Sequence, residues 1–100
     1  MKATKSRANV FSDLGFSSAE ARNLQMRSQL MTALRKFVEK EGLTQAEAAR
    51  RLKVTQPRMS DLLRGKISRF SLDTLVSMSS DAGLEVDLRI SAKPVSRRVA

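Results

Sequence analysis

Residues 43–65 read LTQAEAARRLKVTQPRMSDLLRG, and the fold of the chain turns on them. Thr44 is a good N-cap, and Glu47 three residues on completes a capping box. A short helix is expected from Gln45 to Leu52. Thr55 caps a second, with Pro57 in its first turn, where a missing N–H costs nothing. Gly65 closes it as a left-handed C′ residue. Ala48, Ala49 and Leu52 share one face of the first helix, and Met59, Leu62 and Leu63 one face of the second. Val54 fills the corner. Ala49 stands where a larger side chain would push the helices apart.

Gln56, Pro57, Arg58, Ser60, Asp61 and Arg64 remain outward on the second helix. This face is polar, short-chained at its N-terminal end and flanked by cations. It suits a helix entering the DNA major groove by its N-terminal end, with Thr55 at the tip. Gln56 is placed to pair with adenine N6 and N7. Asp61 either accepts from a cytosine amine or makes an i,i+3 pair with Arg58 or Arg64.

The run Gln45, Ala49, Leu52, Val54, Thr55-Gln56, Met59 and Leu62 resembles the helix-turn-helix of XRE-type regulators, which include the lambda-like phage repressors. That family usually has Gly at the turn where this chain has Lys53. A left-handed Lys there costs about 1 kcal/mol. Positions matching Gln45 hold a DNA phosphate in the family, so the resemblance implies that role here. The competing reading is an ordinary helical hairpin. Capping, turn, core and outward charge together favour the DNA-binding motif.

One hundred residues make one domain. With no Cys and no His, there is no disulfide framework, no thiolate zinc site and no histidine base or ligand. No metal or cofactor is expected. No apolar run approaches the ~18 residues of a membrane span. No signal-peptide core follows the N-terminal charges, so the cytoplasm is expected. Nineteen Lys and Arg against 10 Asp and Glu leave +9, which points to a polyanion partner. A membrane-surface protein would need an amphipathic helix with large apolar residues free for lipid, and those found here look committed to a core.

Residues 1–9 carry Lys2, Lys5 and Arg7 without periodicity and read as a flexible basic arm. Val10, Phe11, Leu14 and Phe16 follow, too apolar to be left in water. Ser17 and Glu20 form another capping box, opening a helix of about 24 residues that stops near Glu41, with Gly42 as C′. Its core stripe is Leu24, Met31, Leu34 and Val38, widened by Leu30 and Phe37. Its C-terminal half can pack on the motif, whereas its N-terminal half has no evident cover within the chain. After Gly65, the cations Lys66 and Arg69 join Arg64 where the sugar-phosphate backbone would pass. Ser71 caps the next helix, with Phe70 and Leu75 as a hydrophobic staple. Leu72, Leu75, Val76 and Met78 include its core face, and Gly83 ends it.

The period then changes. In LEVDLRIS (84–91), Val86, Leu88 and Ile90 alternate with Glu85, Asp87 and Arg89, the pattern of a β-strand. A lone strand leaves its ladder groups unpaired, so it is expected to pair antiparallel with a second copy or with a partner's sheet edge. Residues 92–100 read as a flexible basic tail. The acidic residues are scattered, with no acid–base pair in a pocket and no Gly-rich phosphate loop. An enzyme is not expected, and there is no catalytic set.

The expectation is therefore an all-α, lambda-repressor-like helix-turn-helix domain over residues 10–91, with a long first helix and one C-terminal strand that pairs across a dimer. Over residues 9–91 the order NVFSDLGFSSAEARNL, EGLTQAEAARRL, LLRGKISRFSLDTL and a terminal strand is similar to HigA-type antitoxins. That resemblance implies a homodimeric repressor of its own operon, bound at a palindromic operator, which also neutralises a RelE-like toxin. The alternatives are a stand-alone XRE-type regulator and an interaction module that no longer binds DNA.

Overall fold

The structure, a computed structural model, describes residues 14–92. Among the described residues four α-helices follow one another: α1 (Ser18–Glu41), α2 (Gln45–Arg51), α3 (Gln56–Leu63) and α4 (Leu72–Asp81), with a 3-10 turn at Ile67–Arg69 before α4. Each α-helix starts at a hydroxyl cap: Ser17, Thr44, Thr55 and Ser71. The first two are complete capping boxes. Glu20 and Glu47 accept from the backbone N–H of Ser17 and Thr44 at 2.9 and 2.8 Å.

Each helix also ends the same way, with a left-handed residue just past it: Gly42, Lys53, Gly65 and Gly83. At all four, the next N–H reaches back to a carbonyl of the last turn. The α2 case is Val54 N–H to the Ala49 carbonyl, 2.9 Å. Lys53 has φ 60, so the turn takes its left-handed form without glycine. The Lys53 ammonium lies 3.5 Å from the Asp81 carboxylate on α4. At such exposure that contact offsets only part of the backbone cost of ~1 kcal/mol.

The core gathers one face from each helix. Leu34, Leu52, Met59, Leu62, Phe70, Leu75 and Met78 are fully buried, and Ala48 and Ala49 let α2 close on α3. Leu30, Phe37, Leu43, Val54 and Leu63 border this core. Val76 departs from its expected core place and is 43% exposed. The N-terminal half of α1 is only partly covered within the described residues. Met26 and Leu30 line an open cleft with Leu72 and Val76 of α4 and with Val86 and Leu88.

The expected C-terminal strand is not formed. Residues 84–92 carry no regular secondary structure, and no strand occurs among the described residues. The reason is physical: a strand exists by virtue of its ladder, and no neighbouring strand is present in the described chain to supply one. The described part is all-helical. Residues 85–92 are all exposed, the apolar Leu88 and Ile90 at 79% and 82%. The basic arm 1–9, Val10 and Phe11, and all of the tail except Ala92 lie outside the described residues.

Candidate nucleic-acid interface

The α2–turn–α3 unit places the N-terminus of α3 at the surface. Thr55 holds it there, its hydroxyl accepting the Arg58 N–H at 3.3 Å. Pro57 sits in the first turn, where it forfeits no helical hydrogen bond. Thr55, Gln56 and Pro57 are exposed beside one another, and Gln45 is exposed at the start of α2. The Gln45 side-chain amide donates to the Gln56 carbonyl at 3.3 Å. This contact ties the first turns of the two helices, which sequence spacing alone does not show. An amide nitrogen has a second hydrogen, which remains for a phosphate oxygen.

The remaining expected residues fall into two groups. Arg64 and Arg69 are exposed around the end of α3, with Lys66 half-buried between them. Arg58, Ser60 and Asp61 are half-buried on α3. The Arg58 guanidinium stacks on the Phe70 ring, 5.0 Å from its centroid, so its stem and plane are partly committed to packing.

Asp61 makes neither of the helical pairs considered for it. Its carboxylate faces forward across the turn, 3.3 Å from Arg69 Nη1 and 3.8 Å from Lys66 Nζ. The Asp61 side chain is 17% exposed, against 39% and 58% for the two cations. The Asp61 backbone carbonyl also accepts the Lys66 N–H at 3.0 Å.

Sequence reasoning missed Arg27. This α1 residue donates from Nη1 to the carbonyls of Ile67 and Phe70, at 3.0 and 3.1 Å. Its Nε donates to Asn23 Oδ1 at 2.7 Å, which fixes the rotamer. Arg27 therefore pins both ends of the turn that carries Lys66 and Arg69. The Asn23–Arg27 spacing of four residues was the one local signal.

The capping boxes carry the resolved electrostatic shifts. The Thr44 backbone N–H, then its hydroxyl, hold the Glu47 carboxyl below its ordinary value of 4.5, with Arg50 adding a smaller pull. The Ser17 backbone N–H and hydroxyl do the same for Glu20. Both acids support helix starts and take no part in the exposed α3 surface.

Residues Glu85, Val86, Asp87, Leu88, Arg89 and Ile90, expected to mediate dimerisation, follow α4 and belong to none of the elements that build this surface. Val86, Asp87 and Leu88 border the α1–α4 cleft, and all six are exposed. Among the described residues no helix is long and apolar enough to cross a membrane.

Comparison with known proteins agrees with this geometry. A family model described as a helix-turn-helix domain matches residues 10–91. A solved structure bearing the name of an XRE family transcriptional regulator superposes with a TM-score of 0.71 at 33% identity. The match covers 81% of this chain and 91% of that one. No curated protein matches the sequence. By the family match across residues 10–91 and the likeness to that regulator, the chain belongs to the XRE-type helix-turn-helix family.

Proposed function

We propose that the protein is a sequence-specific DNA-binding repressor that acts in the cytoplasm as a homodimer. One observation carries this reading. The exposed N-terminal tip of α3, with Thr55, Gln56 and Pro57, is flanked by Gln45 on α2 and by Arg64, Lys66 and Arg69 beyond its end. In a major groove the tip meets base edges while the flanks meet sugar-phosphate backbone. Gln56 reads adenine through its amide, and Gln45, Arg64, Lys66 and Arg69 hold phosphates. Arg58 and Ser60 lie behind the tip and contribute secondary contacts.

One such helix covers only a few base pairs, and a dimer presents two at ~34 Å. The exposed alternation Val86, Leu88, Ile90 supplies the means. Two copies of segment 85–91 pairing antiparallel would provide each other with the ladder that a single copy lacks. With the two-fold axis at Leu88, Asp87 of one copy faces Arg89 of the other.

The test is a titration of operator-like duplex against salt. Each phosphate neutralised contributes about 0.9 to the slope of log affinity on log salt. Lys66→Ala and Arg69→Ala should each lower that slope and weaken operator binding without changing the preferred sequence. Unchanged slopes in both variants would remove the phosphate assignment. An interaction module without DNA binding would show no salt-dependent shift in the wild type.

The finer reading is an antitoxin that holds a RelE-like toxin. It rests on the HigA-type resemblance and on the apolar surface at Leu14, Val76, Leu88 and Ile90. Co-expression with the product of the adjacent reading frame tests it. A toxic neighbour neutralised in a stable complex supports it. A harmless neighbour that forms no complex leaves a stand-alone regulator.

A further inference from the structure

We propose that Asp61 is a specificity-determining positioning residue: its carboxylate is an internal counter-charge that restrains Lys66 and Arg69 from indiscriminate contact with polyanions. This inference rests on the DNA-binding reading above and deepens it.

Asp61 is the only acid on α3, in a chain of net charge +9. It sits beneath the two cations, not beside them, being the least exposed of the three. Its two carboxylate oxygens are divided between them, Oδ2 to Arg69 and Oδ1 to Lys66. The turn itself is held from both sides. The left-handed Gly65 starts it and the Arg27 guanidinium grips the Ile67 and Phe70 carbonyls. The two cations thus rise from a held turn, with the Asp61 carboxylate between their charged ends.

Two consequences follow from charge and geometry. Sequence-independent binding is essentially all phosphate attraction, and a carboxylate within 4 Å of both cations subtracts from it wherever the duplex is met. In the specific complex the same carboxylate has a second effect. With α3 seated in the groove, the backbone passes at one place, and cations already directed there lose less freedom on binding. A non-specific complex has no such required geometry. Neutralising Asp61 therefore strengthens non-specific binding in full, while the specific complex gains less because its cations are no longer preset.

The experiment compares wild type, Asp61→Asn, Lys66→Ala/Arg69→Ala and the triple variant. Each is measured on the selected operator, on a scrambled duplex and on immobilised heparin across a salt series. Circular dichroism confirms the fold, and Asp61→Ser serves as a second neutral variant if Asn perturbs the helix. The expected result for Asp61→Asn is a salt slope on scrambled duplex steeper by about 0.9 for each cation released, and elution from heparin at higher salt. Scrambled-duplex affinity rises several-fold at low salt, and the operator-to-scrambled ratio falls. In the Lys66→Ala/Arg69→Ala background, Asp61→Asn leaves the slope unchanged, and its gain in affinity is clearly smaller than in wild type, being only the repulsion of one carboxylate.

Three outcomes overturn the proposal. One is an unchanged slope and affinity on scrambled duplex and heparin. Another is a gain as large without the two cations as with them, which marks a general charge effect. The third is a loss confined to one base pair of the operator, which makes Asp61 a base reader. The heparin series decides the hold of Asp61 on the cations without any DNA site. Wild-type protein that shows no preference for any duplex overturns the DNA-binding reading instead.

Discussion

Replacing Arg27 by Met should loosen the turn on which Lys66 and Arg69 are carried. Arg27 makes two charge-assisted bonds to carbonyls of that turn and one to Asn23. Bonds from a charged donor contribute ~1.5–3 kcal/mol each when taken singly. These two share one nitrogen, and the Ile67 carbonyl keeps a second donor in the Phe70 N–H. The Asn23 contact adds a few tenths, as four-apart helical pairs do, about 0.2–0.5 kcal/mol. Met preserves the apolar stem of the side chain. The net loss is therefore about 2–3 kcal/mol, which for a domain of this size lowers the melting temperature by roughly 10–20 °C. Arg27→Lys keeps the charge but a single donor centre, and should recover part of the loss. Thermal melts by circular dichroism read both. Operator affinity should fall without a change in the preferred sequence, since the turn bears on phosphates and not on bases. A change in stability of Arg27→Met below about 0.5 kcal/mol, the ordinary range of a surface substitution, would refute the reasoning.

Gly65→Ala should destabilise by about 1–2 kcal/mol for its left-handed backbone, and by more than Gly42→Ala. Its new methyl would stand 3.2 Å from Arg35 Nη1, whereas the space at Gly42 is open. Urea midpoints compare the two. Glu20 and Glu47 have folded-state pKa values below 4.5. Their stabilisation is present above that value and is lost as the pH falls through the lowered folded values. Glu20→Gln combined with Glu47→Gln should flatten the acid side of the stability profile, as followed by urea denaturation at a series of pH values. Leu88→Pro removes a ladder donor and introduces a residue that interior strands exclude. It should sediment as a monomer with much weaker operator binding. A dimer with normal operator affinity would place the subunit contact elsewhere.

What the sequence disclosed was local. Thr44 with Glu47, Ser17 with Glu20, and the glycines at 42, 65 and 83 are signals within three or four residues of the structure they cause. The helical boundaries followed closely. The buried faces were equally legible, because Ala48, Ala49, Leu52, Met59 and Leu62 recur at helical spacing. The left-handed turn at Lys53 shows the limit of reading by residue type. The packing of α2 on α3 requires that conformation, and the chain adopts it without the residue that favours it.

Long-range contacts were not legible. Arg27 reaches carbonyls 40 and 43 residues away, and nothing in its own neighbourhood names them. For Asp61 the local spacing offers a helical pair with Arg58 or Arg64, beside contact with a cytosine amine, and neither points to residues beyond Gly65. The turn after Gly65 folds back and brings Lys66 and Arg69 to Asp61 instead. Val76 follows the buried Leu75 but faces the open α1–α4 cleft and is exposed. The alternation of residues 84–91 was real as a pattern. A pattern does not make a strand until a second edge is present.

The most direct test of the central claim is selection of binding sites from a random duplex pool, with wild type and Gln56→Ala in parallel. The account predicts that wild type enriches a palindrome whose half-sites lie about one helical turn apart, or a multiple of it. Gln56→Ala should enrich the same palindrome with preference relaxed at one base pair in each half-site, since a paired amide is worth ~1–3 kcal/mol of discrimination. A wild-type pool that shows no enriched sequence would contradict the claim that α3 reads DNA. A palindrome unchanged at every position in the Gln56→Ala pool would contradict the place given to Gln56 at its tip.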